Sequence, residues 1–223
     1  PIRRFGMDAA IIFSDILVVP QGLGRPLEFR VGEGPWMEPL TRMEEMQALD
    51  LARMIDFLQP VYAALRLTRA ALPESTALIG FAGAPWTLLC YMLDGNGKND
   101  FERTRAAIYA EPELVSGLMR ILAEAVALHL IEQIHAGADA VQLFDSWAAH
   151  VPATHHQALL IHPANHILAR IKKVHPNTPV ICFPRGIGAE HVREYVNHVA
   201  PDGLSVDQFT NLATLAPTLP PNL

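Results

Sequence analysis

The chain has 223 residues, half of them hydrophobic, with a net charge of -6 and a pI near 5.9. That supplies a sizeable core and argues against disorder, while the lack of a basic surplus to neutralise phosphates excludes a general nucleic-acid binder. Two cysteines, Cys90 and Cys182, lie inside apolar segments and read as free core thiols of a reducing compartment.

No apolar run approaches the roughly 18 residues of a membrane helix, and no charged-then-apolar signal segment opens the chain. The expectation is a soluble, cytoplasmic protein without nucleic-acid or membrane partners. Pro1 stands where an initiator Met would be and the first strand starts almost at once, so the chain reads as cut from something longer.

The first informative stretch is Asp8 to Gly24, DAAIIFSDILVVPQGLG. Its apolar run, Ala9 to Ser14, has no helical period and predicts a strand buried on both faces. Asp15 ends that strand, between hydrophobic residues on both sides, and is either a turn aspartate bonded to backbone N–H groups or a working acid. Arg25 to Pro39, with Gly32, Gly34 and Pro35, predicts a hairpin-like excursion. From a cap at Thr41, apolar residues recur at helical spacing from Met43 to Leu58, and Val61 to Leu72 continues as a second helical piece after Pro60.

Ala77 to Ala82 is a second buried strand that empties into Gly83-Ala84-Pro85-Trp86, with a short helix to Leu93 carrying Tyr91 and ended by Gly95. Glu111 to Ala136 is the clearest helix, with Pro112 in its first turn and Gly137 past its end. It leads to a third strand, Ala140 to Phe144, followed by Asp145-Ser146-Trp147. Thr154 to Val174 is helical by pattern, Val180 to Phe183 a fourth strand before Pro184-Arg185-Gly186, Ala189 to Val199 a helix, and Gly203 to Val206 a fifth strand ending at Asp207. Strand, loop, helix, five times over, implies a parallel sheet with helical cover.

Two α/β architectures fit that alternation, an open doubly wound sheet and a (β/α)8 TIM barrel, and both gather function at the carboxyl ends of strands. Gly80, Gly83 and the Gly186-Ile187-Gly188 pair do not complete G-x-G-x-x-G, and no Gly-Lys-Ser/Thr motif occurs, which favours the barrel. A barrel needs eight strands and about 250 residues. Five strands cannot close one, so residues 1–223 are expected to form a single barrel domain that is incomplete at both ends.

The strand-end segments together resemble the uroporphyrinogen decarboxylase family. The likeness is carried by RRFGMDAAIIFSDILVVPQGLG at Arg3 to Gly24, GEGP at Gly32 to Pro35, GFAGAPWTLLCYMLDG at Gly80 to Gly95, GADAVQLFDSWA at Gly137 to Ala148 and FPRG at Phe183 to Gly186. The resemblance implies a β/α barrel that forms a homodimer, works in the cytoplasm without a cofactor, and removes the four acetate carboxyls of uroporphyrinogen III to give coproporphyrinogen III. It makes Asp15 the catalytic aspartate, accepting bonds from pyrrole N–H groups, Tyr91 a substrate-contacting tyrosine and Ser146 a binder of a substrate carboxylate. Phe13 and Phe144 would help to wall the pocket. The family's amino-terminal arginine pair, its carboxyl-terminal histidine and a late Gly-Asn-Leu-Asp-Pro motif do not occur in this sequence.

A pyrrole acetate loses carbon dioxide only if the electron pair left behind has somewhere to go, and protonating the ring supplies that sink. A fixed carboxylate in a water-poor cavity stabilises the resulting cation, the role implied for Asp15. Eight substrate carboxylates must be met by placed arginines, and Arg3, Arg4, Arg25, Arg30 and Arg185 are the candidates here, each also readable as a solvated or loop arginine. Without the resemblance, Tyr91 would read as a core tyrosine and Ser146 as a helix cap.

Ten histidines raise a metal site, and His162 and His166 lie one helical turn apart, but no third ligand is evident. A related barrel group, the cobalamin-linked methyltransferases, binds zinc through a His-x-Cys motif that neither Cys90 nor Cys182 completes. An inactive fragment is the remaining alternative.

Overall fold

A computed structural model describes residues 2–32, 34–97, 100–221 and 223. In chain order its elements are α1 (Ile2–Phe5), β1 (Ala9–Ile11), α2 (Val18–Gly22), β2 (Leu27–Arg30), β3 (Gly34–Met37), α3 (Met43–Gln47), α4 (Leu51–Phe57) and α5 (Gln59–Ala71). There follow β4 (Ala77–Gly83), α6 (Pro85–Asp94), α7 (Glu102–Ala110), α8 (Pro112–His135), β5 (Ala140–Asp145), α9 (His162–Val174), β6 (Val180–Pro184), α10 (Gly188–Val199), β7 (Gly203–Leu204) and α11 (Leu212–Leu215).

The five predicted strands form one parallel sheet in the order β1-β4-β5-β6-β7. Every helical crossover therefore steps to the next strand on the same side. A doubly wound sheet reverses its strand order at a switch point, whereas a β/α barrel does not, so the open sheet fits an incomplete barrel. The predicted hairpin is also present, with β2 and β3 antiparallel and Leu27 opposite Met37.

Register sorts the side chains into two faces. Leu78, Val141, Leu143, Val180 and Cys182 point to the helices and are fully buried. Ile79, Phe81, Gln142, Phe144, Ile181 and Phe183 share the other face, which would be the inside of a closed barrel. Phe144 stands edge-on to Phe81 at 5.8 Å and to Phe183 at 6.1 Å, which fixes that face as an aromatic surface.

The first strand departs from expectation. It spans three residues instead of Ala9 to Ser14, and it is not buried on both faces, since Ile11 is 51% exposed. The cause is position, because β1 is an edge strand paired only with β4, so its apolar residues gain cover from one neighbour alone. β7 likewise stops at Leu204, short of the expected Val206.

The helix expected from Met43 to Leu58 is two, because Asp50 starts α4 anew by accepting from the Ala52 and Arg53 N–H groups at 2.8 and 3.0 Å. At the start of α3 the helix is capped from inside. Glu45 Oε2 accepts the Thr41 and Arg42 backbone N–H groups, both at 3.1 Å, so Arg42 and not Thr41 is the cap residue. The stretch from Thr154 begins as a 3-10 turn, passes through a π-helical segment at Gln157–Ile161 and only then becomes α9. Helix α7 was not anticipated, because its residues carry little amphipathic signal; Asp94 starts it by accepting from the backbone N–H groups of Arg103 and Thr104.

Helix α8 corrects the reading of apolar run length. Its 24 residues hold a window of mean hydropathy 1.7, enough by length and composition to cross a membrane, yet 72% of that window is buried within the fold. It packs against β4, α6 and α9 as the central core helix. Two polar residues tie it to its surroundings. His129 bonds the Tyr62 hydroxyl at 3.1 Å, and Gln133 brackets Phe81 of β4, accepting its N–H at 2.9 Å and donating to its carbonyl at 2.8 Å.

At the opposite end of the strands from their carboxyl termini, Arg69 of α5 donates to the carbonyls of Thr76 and Pro73 and to Asp139, whose carboxylate also accepts the Leu78 N–H at 2.7 Å. This joins the starts of β4 and β5 to α5. Replacing Gln133 by Leu strands the Phe81 N–H and carbonyl in the core, where each unpaired group costs about 1–3 kcal/mol. Gln133→Leu is therefore expected to lower the unfolding free energy by roughly 2–5 kcal/mol in urea titrations followed by circular dichroism; a loss below about 0.5 kcal/mol would contradict the bracketing role.

Candidate active site

The sequence-predicted residues occupy the carboxyl ends of neighbouring strands. After β1 the chain turns at Asp15, whose Oδ1 accepts the Leu17 N–H at 2.9 Å while its carbonyl accepts the Val18 N–H at 3.2 Å, starting α2. The turn reading of this residue is thus present in the structure. It leaves Asp15 Oδ2 without a hydrogen bond among the described residues, and the side chain half-buried. Gly83, at the end of β4, lets this turn approach, since a Cβ there would stand 3.0 Å from Leu88 and 3.1 Å from Ile16.

Tyr91 is placed by α6. Pro85 sits in the first turn of that helix, and Gly95 ends it with φ of 84°, a conformation natural only to glycine. Burial raises the Tyr91 pKa above the usual tyrosine value, the Trp147 indole eases its ionisation, and the Asp15 carboxylate opposes it. The structure therefore brings Asp15 and Tyr91 within electrostatic reach across two strand ends. Gly97 closes over the phenol, because a Cβ at that position would lie 2.6 Å from the Tyr91 hydroxyl oxygen.

Ser146 follows the last residue of β5, half-buried, and its hydroxyl makes no hydrogen bond among the described residues. Trp147, next to it, packs its ring 6.5 Å from that of Tyr91, so the serine loop and the tyrosine helix meet at this indole. Phe144 lines the aromatic face described above. Phe13, at 83% exposure, stands in the open beyond the edge strand.

Sequence reasoning passed over the group that organises this corner. Asp145 is 6% exposed, and its carboxylate accepts the Thr87 hydroxyl at 2.7 Å in the first turn of α6. Thr87 Oγ1 in turn accepts the Trp147 N–H at 3.3 Å, and the Trp86 indole donates to the Trp147 carbonyl at 2.9 Å. A carboxylate at a helix N-terminus meets unsatisfied N–H groups and a favourable dipole. Even so, burial dominates and raises the Asp145 pKa to about 7. The signal was an acidic residue ending a strand, opposite a threonine in the first turn of a helix, but no spacing links residues so far apart in sequence.

Phe101 was also missed. It is fully buried with φ of 53°, left-handed for a bulky residue, and its ring sits 5.0 Å from Trp147 and 5.1 Å from His150. Such strain persists only where the surroundings over-determine it. Here it holds the start of α7 against the Trp147 indole.

Of the five candidate arginines, Arg25 is buried and already committed, donating to Glu45 at 3.2 Å and to the Glu38 carbonyl at 2.7 Å. Arg25 is thus a loop arginine, buried and paired, and neither solvated nor available to a substrate. The Thr41 N–H, opposed by burial and helped by Arg25, holds the Glu45 pKa down at about 2. Arg30 is paired with Glu28 and lies 3.6 Å over the Trp36 ring. Arg4 stacks on Phe5, and Arg3 and Arg185 are exposed without ion pairs among the described residues, Arg185 at the carboxyl end of β6.

Among the described residues no three His, Cys, Asp or Glu side chains cluster as metal ligands. His166 is occupied by Glu124 at 2.8 Å, and burial raises the pKa of both thiols, Cys182 to about 12. Two cavities flank the site without containing it. One of about 420 Å3 opens beside the ends of β6 and β7, lined by Gly186, Asp207 and Phe209, and one of about 430 Å3 lies between α7, α8 and α9.

The Asp145 arrangement sets a pH dependence. Between its unfolded value of 3.8 and about 7 the folded chain holds a proton that the unfolded chain has released, so this residue's contribution to stability falls as pH rises through that window. His129, its pKa lowered by burial to about 4, has the opposite slope between about 4 and 6.5, and cancels in a comparison of variants. Raising pH from about 4.5 to 7.5 is expected to cost the wild type roughly 2–4 kcal/mol relative to Asp145→Asn in chemical denaturation; parallel profiles would contradict the buried acid.

A family model described as uroporphyrinogen decarboxylase matches residues 1–220. A curated uroporphyrinogen decarboxylase from Rhodospirillum rubrum is 42% identical over 99% of this chain and 63% of its own length, and one from Mesorhizobium japonicum is 43% identical over 96% and 62%. A third, from Chelativorans, is 48% identical over 84% of this chain and 55% of its own length. The chain thus spans about three fifths of the length of the curated relatives it matches. A solved methyltransferase from Methanosarcina mazei superposes with a TM-score of 0.76 over 98% of this chain and 63% of the other, at 14% identity, a likeness of fold alone. Neither the match over nearly every residue nor the identity with these relatives favours the methyltransferase alternative, and the chain belongs to the uroporphyrinogen decarboxylase family.

Proposed function

We propose that this chain carries the central part of a uroporphyrinogen decarboxylase domain, which converts uroporphyrinogen III to coproporphyrinogen III by removing four acetate carboxyls without a cofactor. The observation that carries the reading is the half-buried carboxylate at the end of β1. Asp15 keeps one oxygen for its own turn and the other without a hydrogen bond among the described residues, and its charge acts on the Tyr91 phenol. That second oxygen is suited to accept pyrrole N–H groups. When a ring carbon is protonated, the cation forms next to a charge already oriented, and carbon dioxide departs with its bonding electrons left in the ring. Tyr91 and Ser146 would donate to substituent carboxylates, and Phe144 would wall the macrocycle.

The substrate brings eight carboxylates to a protein of net charge -6, so cations must be placed individually. Arg25 and Arg30 are committed elsewhere, leaving Arg185 as the candidate of this set at a strand end. The remaining cations are proposed to come from sequence outside this chain, in keeping with the greater length of its relatives. Assembly as a homodimer and a cytoplasmic location belong to the same proposal.

Asp15→Asn, made in the complete protein, keeps the turn bond to Leu17 N–H through the amide oxygen but removes the charge. Turnover of uroporphyrinogen III is expected to fall about 10²–10³-fold with the thermal midpoint little changed. Equal rates for variant and wild type in single-turnover experiments would overturn the role of Asp15.

A further inference from the structure

Trp147 is held at both of its backbone polar groups by one helix. Its N–H donates to Thr87 Oγ1 at 3.3 Å and its carbonyl accepts the Trp86 indole at 2.9 Å, and Thr87 is itself fixed by Asp145. The same helix, α6, carries Tyr91 one turn further on. The indole is confined on its other sides by Phe101 at 5.0 Å and His150 at 6.0 Å. Yet the Trp147 Nε1–H is buried without a hydrogen-bond partner among the described residues. Buried donors are almost always paired, and an orphan among well-fixed neighbours calls for a reason.

The group nearest in function is the Tyr91 phenol oxygen. The two rings stand 6.5 Å apart and tilted by 55°, and the indole eases ionisation of that phenol, though no well-formed bond joins them among the described residues. Asp15 and Cys90 are the other groups that act on Tyr91, both disfavouring its charge, while Gly97 packs so closely on the phenol that a side chain there would clash with it. We infer that Trp147 is a positioning residue for Tyr91, its indole N–H donating to the phenol oxygen when the phenol O–H donates to a substrate carboxylate. This rests on the decarboxylase reading for the identity of the substrate, but the pairing of the two side chains does not. Donation into the phenol oxygen strengthens the bond the phenol makes onward, the cooperativity expected of a hydrogen-bonded chain in a site of low dielectric.

Two measurements on the complete protein separate the pairing from the reading. In a tyrosine-ζ-carbon NMR titration, Trp147→Phe is expected to raise the Tyr91 midpoint, and Trp147→His, which keeps a ring N–H, is expected to restore part of the shift. In turnover assays Trp147→Phe is expected to cost about tenfold, with no further loss when it is added to Tyr91→Phe. An unmoved Tyr91 midpoint, or the same loss in both backgrounds, overturns the inference. A shifted midpoint together with full turnover by Tyr91→Phe keeps the pair and instead removes Tyr91 from the decarboxylase reading.

Discussion

The carboxylate of Asp145, set at the first turn of α6 from the last residue of β5, is the constraint on which the site geometry depends. Strand ends in a β/α fold are joined sideways by ladder hydrogen bonds, but nothing in the ladder determines where the following helix begins. Here one buried acid decides it. By taking the Thr87 hydroxyl it fixes the start of α6 against β5, and with it the distance between the helix that bears Tyr91 and the loop that bears Ser146 and Trp147. The cost of burying that group is offset in part by the helix N-terminus and in part by retaining a proton up to about pH 7.

Around this junction the sheet is laid out in sequence order, so five strand ends point the same way and their loops are neighbours. The helix-facing side of the sheet is packed to exclusion of water, while the other side presents the half-buried Phe144 and Phe183 flanking an aromatic surface completed by buried Phe81. An edge strand at each end leaves this surface without lateral cover among the described residues. That is why Ile11 and Phe13, apolar residues of the kind that line a barrel, stand exposed.

Much of the architecture was legible before any coordinates. Short aperiodic apolar runs such as Ala77 to Ala82 and Ala140 to Phe144 can satisfy themselves only in a sheet covered on both sides, and their alternation with amphipathic segments dictated parallel pairing. The helix boundaries at Pro112 and Gly95 were marked by residues whose backbone chemistry allows little else. What was illegible depended on partners distant in sequence. The edge position of β1, the break at Asp50 and the commitment of Arg25 to Glu45 arise from neighbours that periodicity does not report. The candidate residues Asp15, Tyr91 and Ser146 were legible through motif likeness, whereas Asp145, Trp147 and Phe101, which hold them, became visible only as a packed network.

In the proposed reaction the second carboxylate oxygen of Asp15 faces the pyrrole nitrogens of a tetrapyrrole whose side-chain carboxylates reach Tyr91 and Ser146. A crystal structure of the complete protein with coproporphyrinogen bound tests that placement. Ring N–H groups are expected to converge on Asp15 Oδ2 within hydrogen-bond distance, with the macrocycle against Phe144. A macrocycle seated instead in the cavity between α7, α8 and α9, or an Asp15 side chain turned away from the rings, would contradict it.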